Sequence, residues 1–182
     1  MDDGIKKFLT KSLWVGAVVF VVRYLVCSFN DLYGFISATS ETIVVTLIIM
    51  GFYSRFLWKF IPFEKTPRLL GKYKGHIKYE YDGKKGKKII SIEIKQTLFT
   101  VKIKIVTNEI TSHTIIGNLI IENDEYVLYY NYITNPKSEF SEKNPIQYGT
   151  CRLVVEDNDN LKGTYWTSRR TIGDIEMRKI KQ

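Results

Sequence analysis

The stretch Ile90-Ser91-Ile92-Glu93-Ile94-Lys95, followed shortly by Val101-Lys102-Ile103-Lys104-Ile105, decides the fold. Every second residue is apolar and β-branched, and those between are charged or hydroxylated. A period of two does not gather on one side of a helix, but on a pleated strand it separates a buried face from a wet one. Upstream, Tyr73, Ile77, Tyr79 and Tyr81 alternate with Lys74, His76, Lys78 and Glu80 in the same way. Turn chemistry divides such runs: Asp82-Gly83 with Lys84-Lys85-Gly86, Asn108-Glu109, Glu122-Asn123-Asp124, a longer loop from Asn135-Pro136 to Asn144-Pro145, Asp157-Asn158-Asp159-Asn160, and Ser168-Arg169-Arg170. The pattern predicts strands near 70–81, 88–96, 99–107, 111–121, 125–134, 146–156, 161–167 and 171–180. With no helical insert, sequential hairpins give an all-β domain: a compact eight-stranded antiparallel up-and-down β-barrel, whose closure removes exposed edges.

The residues before this sheet have another composition. Positions 13–29 are apolar apart from Ser28 and Arg23, and positions 42–61 are apolar apart from a few hydroxyls, Arg55 and Lys59. Two helices there would reach about 25 and 30 Å, the thickness of a bilayer core. The prediction is a transmembrane hairpin in domain 1–62 and a barrel in domain 63–182. A signal peptide is the rival for the first span, because Lys6, Lys7 and Lys11 precede it, but no small-residue cleavage site follows.

Charge orients the hairpin. Of 27 Lys and Arg and 19 Asp and Glu in 182 residues, six basic and four acidic residues precede Pro62. Loop 30–41 holds Asp31 and Glu41 without a Lys or Arg, whereas Lys6, Lys7 and Lys11 precede the first span and Lys59, Lys65, Arg68, Lys72 and Lys74 end or follow the second. By the positive-inside rule both termini are cytoplasmic. Arg55 reaches the same interface as Lys59 by snorkelling. Arg23 is deeper, and either it snorkels outward or it faces another helix or a hydrated gap.

Several chemistries lack their residues. The two histidines, His76 and His113, fall on separate predicted strands, with no zinc-type spacing. No nucleophile elbow, His-Glu-x-x-His or Walker lysine occurs, so an enzyme is disfavoured. Cys27 and Cys151 belong to a span and a strand and are not expected to pair. Gly83-Lys84-Lys85-Gly86-Lys87-Lys88 has the wrong spacing for a phosphate loop and reads as a solvated hairpin turn, or as a contact for anionic headgroups or any other polyanion.

A small barrel is either filled by side chains or holds one ligand. The expected inward set mixes bulk with space: Tyr73, Tyr79, Tyr81, Gly117, Tyr130, Tyr132, Gly163, Tyr165 and Gly173. The segment from Leu161 to Gly173 adds Tyr165, Trp166, Thr167, Arg169 and Arg170, a mixture able to stack a base, hydrogen-bond its edge and neutralise a phosphate. Arg152 on the preceding strand offers another cation, although Leu153 and Val155 compete with it for the inner face. The same hairpin also reads as an ordinary closing pair with surface arginines.

Two short N-terminal spans before a β-rich domain, with Leu161-Lys162-Gly163-Thr164-Tyr165-Trp166-Thr167 leading to Thr171-Ile172-Gly173 and Ile175-Glu176-Met177, resemble a bacterial family. It is the membrane effectors of cyclic-oligonucleotide-based antiphage signalling (CBASS), of the CD-NTase-associated protein 15 type. The resemblance implies a barrel that binds a cyclic dinucleotide made by a cognate nucleotidyltransferase, with no cofactor besides this activating ligand. It implies location in the inner membrane, self-association through the spans, bilayer disruption and death of the infected cell. On that basis Arg152, Arg169 and Arg170 are the candidate phosphate cations, and Tyr79, Tyr130, Tyr165 and Trp166 the stacking rings. Arg23 is the candidate to line a hydrated defect in an assembly, and no DNA or RNA partner is expected. Two other readings stand beside this one: a tethered calycin-like barrel that carries or senses a lipid or other small apolar ligand, with an uncharged lumen, and a solid scaffold barrel with no cavity, whose outer face binds a protein partner.

Overall fold

The computed structural model describes residues 3–27 and 31–180, and the chain separates into two units, Met1–Glu64 and Lys65–Gln182. In the first unit, α1 spans Asp3–Val26 and α2 spans Leu32–Phe52, continued by a wide turn at Tyr53–Leu57 and a tight one at Trp58–Phe60. Both helices begin earlier than their apolar runs. The Asp31 carboxylate explains the start of α2, since it accepts the Gly34 N–H at 2.8 Å as an N-cap. Glu41 therefore belongs to α2, not to the connecting loop. Ser28 and Phe29, the expected end of the first span, and Asn30 lie outside the described residues.

The helices pack as a hairpin. A β-carbon on Gly16 would lie 3.5 Å from the Thr46 hydroxyl, and Phe20 and Phe35 meet edge-on at 6.0 Å. Arg23 Nε donates to Glu41 at 2.6 Å, and Lys11 Nζ donates to Tyr53 at 3.0 Å and Glu64 at 2.9 Å. Ile5–Val26 and Leu32–Phe60 are long and apolar enough to cross a bilayer. Leu13, Leu25, Leu47 and Ile48 are all exposed, so this hairpin is apolar on faces it does not bury itself.

The second unit is a closed barrel of β1 (Gly71–Tyr81), β2 (Lys84–Gln96), β3 (Val101–Val106), β4 (Ile110–Glu122), β5 (Glu125–Pro136), β6 (Gln147–Val155), β7 (Asn160–Thr167) and β8 (Ile172–Lys179). Each strand pairs antiparallel with the next, and β8 returns to β1. Asp82 and Gly83, at φ 50° and 69°, form a two-residue turn with both central residues left-handed, as do Asn123 and Asp124 at 48° and 64°. Because Asp82-Gly83 suffices as a turn, β2 starts at Lys84 rather than at 88.

A bulge in β4 between Thr114 and Ile116 sets its faces. Beyond it Gly117 is buried and Leu119 packs on the core, while Ile115 and Ile116 are exposed. The Thr114 hydroxyl spans the gap to β3, accepting the Ile103 N–H at 2.8 Å and donating to the Ile103 carbonyl at 3.0 Å.

The end of the barrel where β1 begins is solid. Leu69, Tyr73, Ile94, Leu128, Leu153, Leu161 and Met177 are buried there; burial of each large aliphatic side chain contributes about 1.5–3 kcal/mol. Gln96 seals it by accepting the Leu69 N–H at 2.7 Å and donating to the Pro67 carbonyl at 2.8 Å. The Tyr73 hydroxyl donates to the Leu69 carbonyl at 2.8 Å. The opposite end is hollow.

Candidate functional site

The hollow end is a cup of about 440 Å³, within the range of small-molecule sites. Strand parity turns Tyr79 and Tyr81 of β1, Tyr130 and Tyr132 of β5 and Tyr165 of β7 onto its wall. Four of these stand directly across from glycine in the ladder: Tyr79 from Gly86, Tyr130 from Gly117, Tyr132 from Gly149 and Tyr165 from Gly173. A β-carbon on Gly86 would lie 2.4 Å from the Tyr79 ring, and one on Gly173 would lie 2.9 Å from the ring of Tyr165. Glycine thus makes room for the rings against the wall, and an aromatic covering a cross-strand glycine restores packing the glycine lacks. Burial pushes the phenols of Tyr130, Tyr132 and Tyr165 up, so all three remain neutral hydrogen-bond donors at physiological pH.

Among the described residues, the wall also carries four cations, Lys84 and Lys88 of β2, Lys143 and Arg169, against the single carboxylate of Glu109. Lys84 and Lys88 face inward because they continue the parity of Ile90, Ile92 and Ile94 toward the turn. Arg169 donates to the Tyr81 hydroxyl at 2.8 Å and the Lys143 carbonyl at 2.9 Å, with its guanidinium 4.9 Å from the Tyr81 ring centre. Glu109 Oε2 accepts from Lys88 at 2.7 Å and from Asn144 at 2.7 Å. The Lys88 ammonium holds the Glu109 carboxyl below the usual carboxylate range. Thr134, Thr167, Thr171 and Ser112 add hydroxyls between the rings. Aromatic faces, hydroxyls and cations on one wall can hold a ligand that has both a π-surface and phosphate.

Of the residues singled out by sequence, Tyr79, Tyr130, Tyr165, Thr167 and Arg169 line the cup. Arg152, Trp166 and Arg170 do not. Cys151 and Leu153, both fully buried, take the inner face of β6 and turn Arg152 outward, where it donates to Glu122 at 2.6 Å and Tyr129 at 2.9 Å. Tyr165 and Thr167 likewise leave Trp166 on the outer face, in a groove with Lys78, Lys87 and Ile172. Arg170 is exposed in the β7–β8 turn at φ 60°. Arg23 belongs to the helical unit, on Glu41.

Glu109, Lys143 and Asn144 carry no sequence expectation as site residues, and Lys84 and Lys88, read as a solvated turn or an anion contact, line the cup instead. Parity counted back from Ile90 points to the two lysines, whereas nothing local marks the other three, which come from loops that meet over the cup. The cavity and its charge also separate this barrel from a solid scaffold and from one with an uncharged lumen.

A family model described as "Cap15, cyclic dinucleotide receptor domain" matches residues 64–179. CD-NTase-associated protein 15 of Staphylococcus schleiferi is 40% identical over 184 residues, covering 100% of both chains. Among solved structures, a redesigned β-barrel aligns with a TM-score of 0.46 at 10% identity, over 64% of this chain and 98% of its own. The redesigned barrel mFAP1, bound to DFHBI, aligns with a TM-score of 0.44 at 15% identity, over 61% and 94%. The family's description names a receptor and no catalyst. With the family model matching nearly all of the barrel unit and a relative matching from end to end, the chain belongs to the Cap15 family.

Proposed function

We propose that the protein is a CBASS effector of the inner membrane whose cup binds a cyclic dinucleotide made by a cognate nucleotidyltransferase, and whose helical hairpin then self-associates and breaches the bilayer. The observation that carries this reading is the co-location of five tyrosines with Lys84, Lys88, Lys143 and Arg169 in one dead-ended cup. A cyclic dinucleotide presents two bases and two phosphates. The rings supply stacking faces, and the cations supply charge-assisted hydrogen bonds to phosphate oxygen. The names of the matched family and relative support the same ligand class and signalling context.

Two apolar helices with uncovered faces support a hairpin that crosses the membrane twice with both termini in the cytoplasm. Ligand binding drives assembly only if the assembled state binds the ligand more tightly than the single chain does. The experiment is thermal unfolding of the full-length protein in detergent with a panel of cyclic dinucleotides and trinucleotides. A ligand present at about 100 times its Kd raises stability by about 2.7 kcal/mol, a plain shift in Tm. A panel without effect, alongside a shift with lipid or fatty acid, would transfer the cup to an apolar ligand.

A further inference from the structure

Lys88 and Lys84 both face the cup, and Lys88 lies further along β2 from the turn, hence deeper. Its ammonium sits 5.5 Å from the Tyr79 ring centre and 2.7 Å from Glu109 Oε2. Glu109 occupies the β3–β4 turn, where the Thr107 hydroxyl accepts its N–H at 3.2 Å and its own carbonyl accepts the Lys137 N–H at 2.9 Å. The carboxylate oxygen that meets Lys88 also receives Asn144 Nδ2 at 2.7 Å. One atom therefore ties the wall of the cup to segment 137–146, and Arg169 makes a second tie through the Lys143 carbonyl at 2.9 Å.

We propose that Lys88 is a phosphodiester subsite for which Glu109 serves as the internal stand-in anion, so that an entering phosphate replaces Glu109 on Lys88 and releases Asn144 with its segment. This assignment rests on reading the cup as a cyclic dinucleotide site. A phosphodiester and a carboxylate are both monoanions that accept from an ammonium, so the exchange leaves Lys88 paired throughout. Both anions cannot stay on the same ammonium without repelling each other at close range. Glu109 lies in a turn and is partly exposed, so its carboxylate can move into water at low cost. Residues 137–146 are mostly exposed, so loosening the Asn144 tie, with the Arg169 tie to the Lys143 carbonyl kept, couples occupancy of the cup to the surface of the barrel.

The test uses the full-length protein in phospholipid nanodiscs, titrated calorimetrically with cyclic di-AMP, cyclic di-GMP and cyclic GMP–AMP. For whichever probe binds, Glu109→Gln should tighten binding and Lys88→Met should weaken it, each by about tenfold, the weight of one charge-assisted hydrogen bond. In the Lys88→Met background, Glu109→Gln should add nothing. Hydrogen exchange in 137–146 should rise when the probe is added to the wild type, and should already be raised in Glu109→Gln without it. Binding of Glu109→Gln no tighter than wild type overturns the subsite, as does a gain that persists without Lys88. Unchanged exchange in 137–146 overturns the release. If no probe binds the wild type, the receptor reading fails and takes the subsite with it; if a probe binds and Glu109 is inert, the subsite alone falls.

Discussion

Tyr132 and Gly149 face each other across β5 and β6, and the ring of one fills the place where the other's side chain would begin. A β-carbon on Gly149 would fall 2.4 Å from the Tyr132 phenol oxygen and 2.7 Å from the Trp166 carbonyl. Gly149→Ala must therefore move a buried ring or a strand. The expected loss is about 1–3 kcal/mol, as for other overpacked interiors. Differential scanning of the full-length protein in detergent measures it, and an unchanged Tm would mean that Tyr132 has a second rotamer available.

Arg169 and Arg152 make a matched pair of probes. Arg169 lies in the cup, and Arg152 lies outside it on Glu122 and Tyr129. Arg169→Ala should cost about ten- to hundredfold in cyclic dinucleotide affinity, the value of a charge-assisted contact, and Arg152→Ala should leave it unchanged. Isothermal titration of the two variants separates the cup from the outer wall. Equal losses would place the ligand elsewhere.

Cys151 is fully buried on the inner face of β6, and burial pushes its thiol up to about 12. Cys27 is exposed. The thiolate is the reactive form, so brief maleimide treatment of the native protein should label Cys27 and spare Cys151, while denaturant should expose both. Peptide mass spectrometry reads the outcome. Fast labelling of Cys151 in the native state would show that the barrel opens.

Glu109 and Glu122 both have pKa values below the ordinary carboxylate value, held there first by hydrogen bonds from Lys88 and Arg152 respectively. A carboxylate depressed on folding stabilises the native state above its unfolded pKa, and that contribution is lost as pH falls through the folded value. Urea midpoints should therefore hold steady from neutral pH down to about 5 and decline in more acid solution. Glu109→Gln should flatten part of that decline. A slope unchanged in the variant would show that protonation of Glu109 contributes nothing to the acid loss.

In the helical unit, Arg23 is paired with Glu41 at 2.6 Å. Under the proposed function, Arg23→Leu should keep cyclic dinucleotide binding and abolish toxicity in cells that make the signal. The exchange of Arg23→Glu with Glu41→Arg should recover toxicity if the ion pair is what matters. Killing that survives Arg23→Leu would remove this residue from the mechanism.

Periodicity made the barrel legible because a period of two is a local property, imposed by the pleat wherever one face is buried. The runs around Ile92 and Ile103 were enough to identify strands, and Asp82-Gly83 was enough to identify a turn. Helix starts were less legible: the apolar run of α2 drew attention to 42, whereas the cap at Asp31 sets its first turn. For the cup, Tyr79, Tyr130 and Tyr165 were readable as inward residues, and parity carried from Ile90 would have added Lys88. Arg152 and Trp166 carry chemistry suited to a cyclic dinucleotide but lie outside the cup, because their neighbours Leu153 and Tyr165 hold the inner face.

By itself, the sequence determined the two-part division of the chain, the number of strands and the alternation within each. All of these follow from hydrophobic patterning over a few residues. Only the tertiary structure decided which loops meet: Glu109 comes from the β3–β4 turn and Lys143 and Asn144 from the β5–β6 loop, on a rim where β2, β4, β6 and β8 all begin, and Arg169 reaches Tyr81 because β8 closes on β1. Closure is a global constraint, satisfied by all eight strands at once. No local pattern encodes the contacts it creates between residues far apart in the chain.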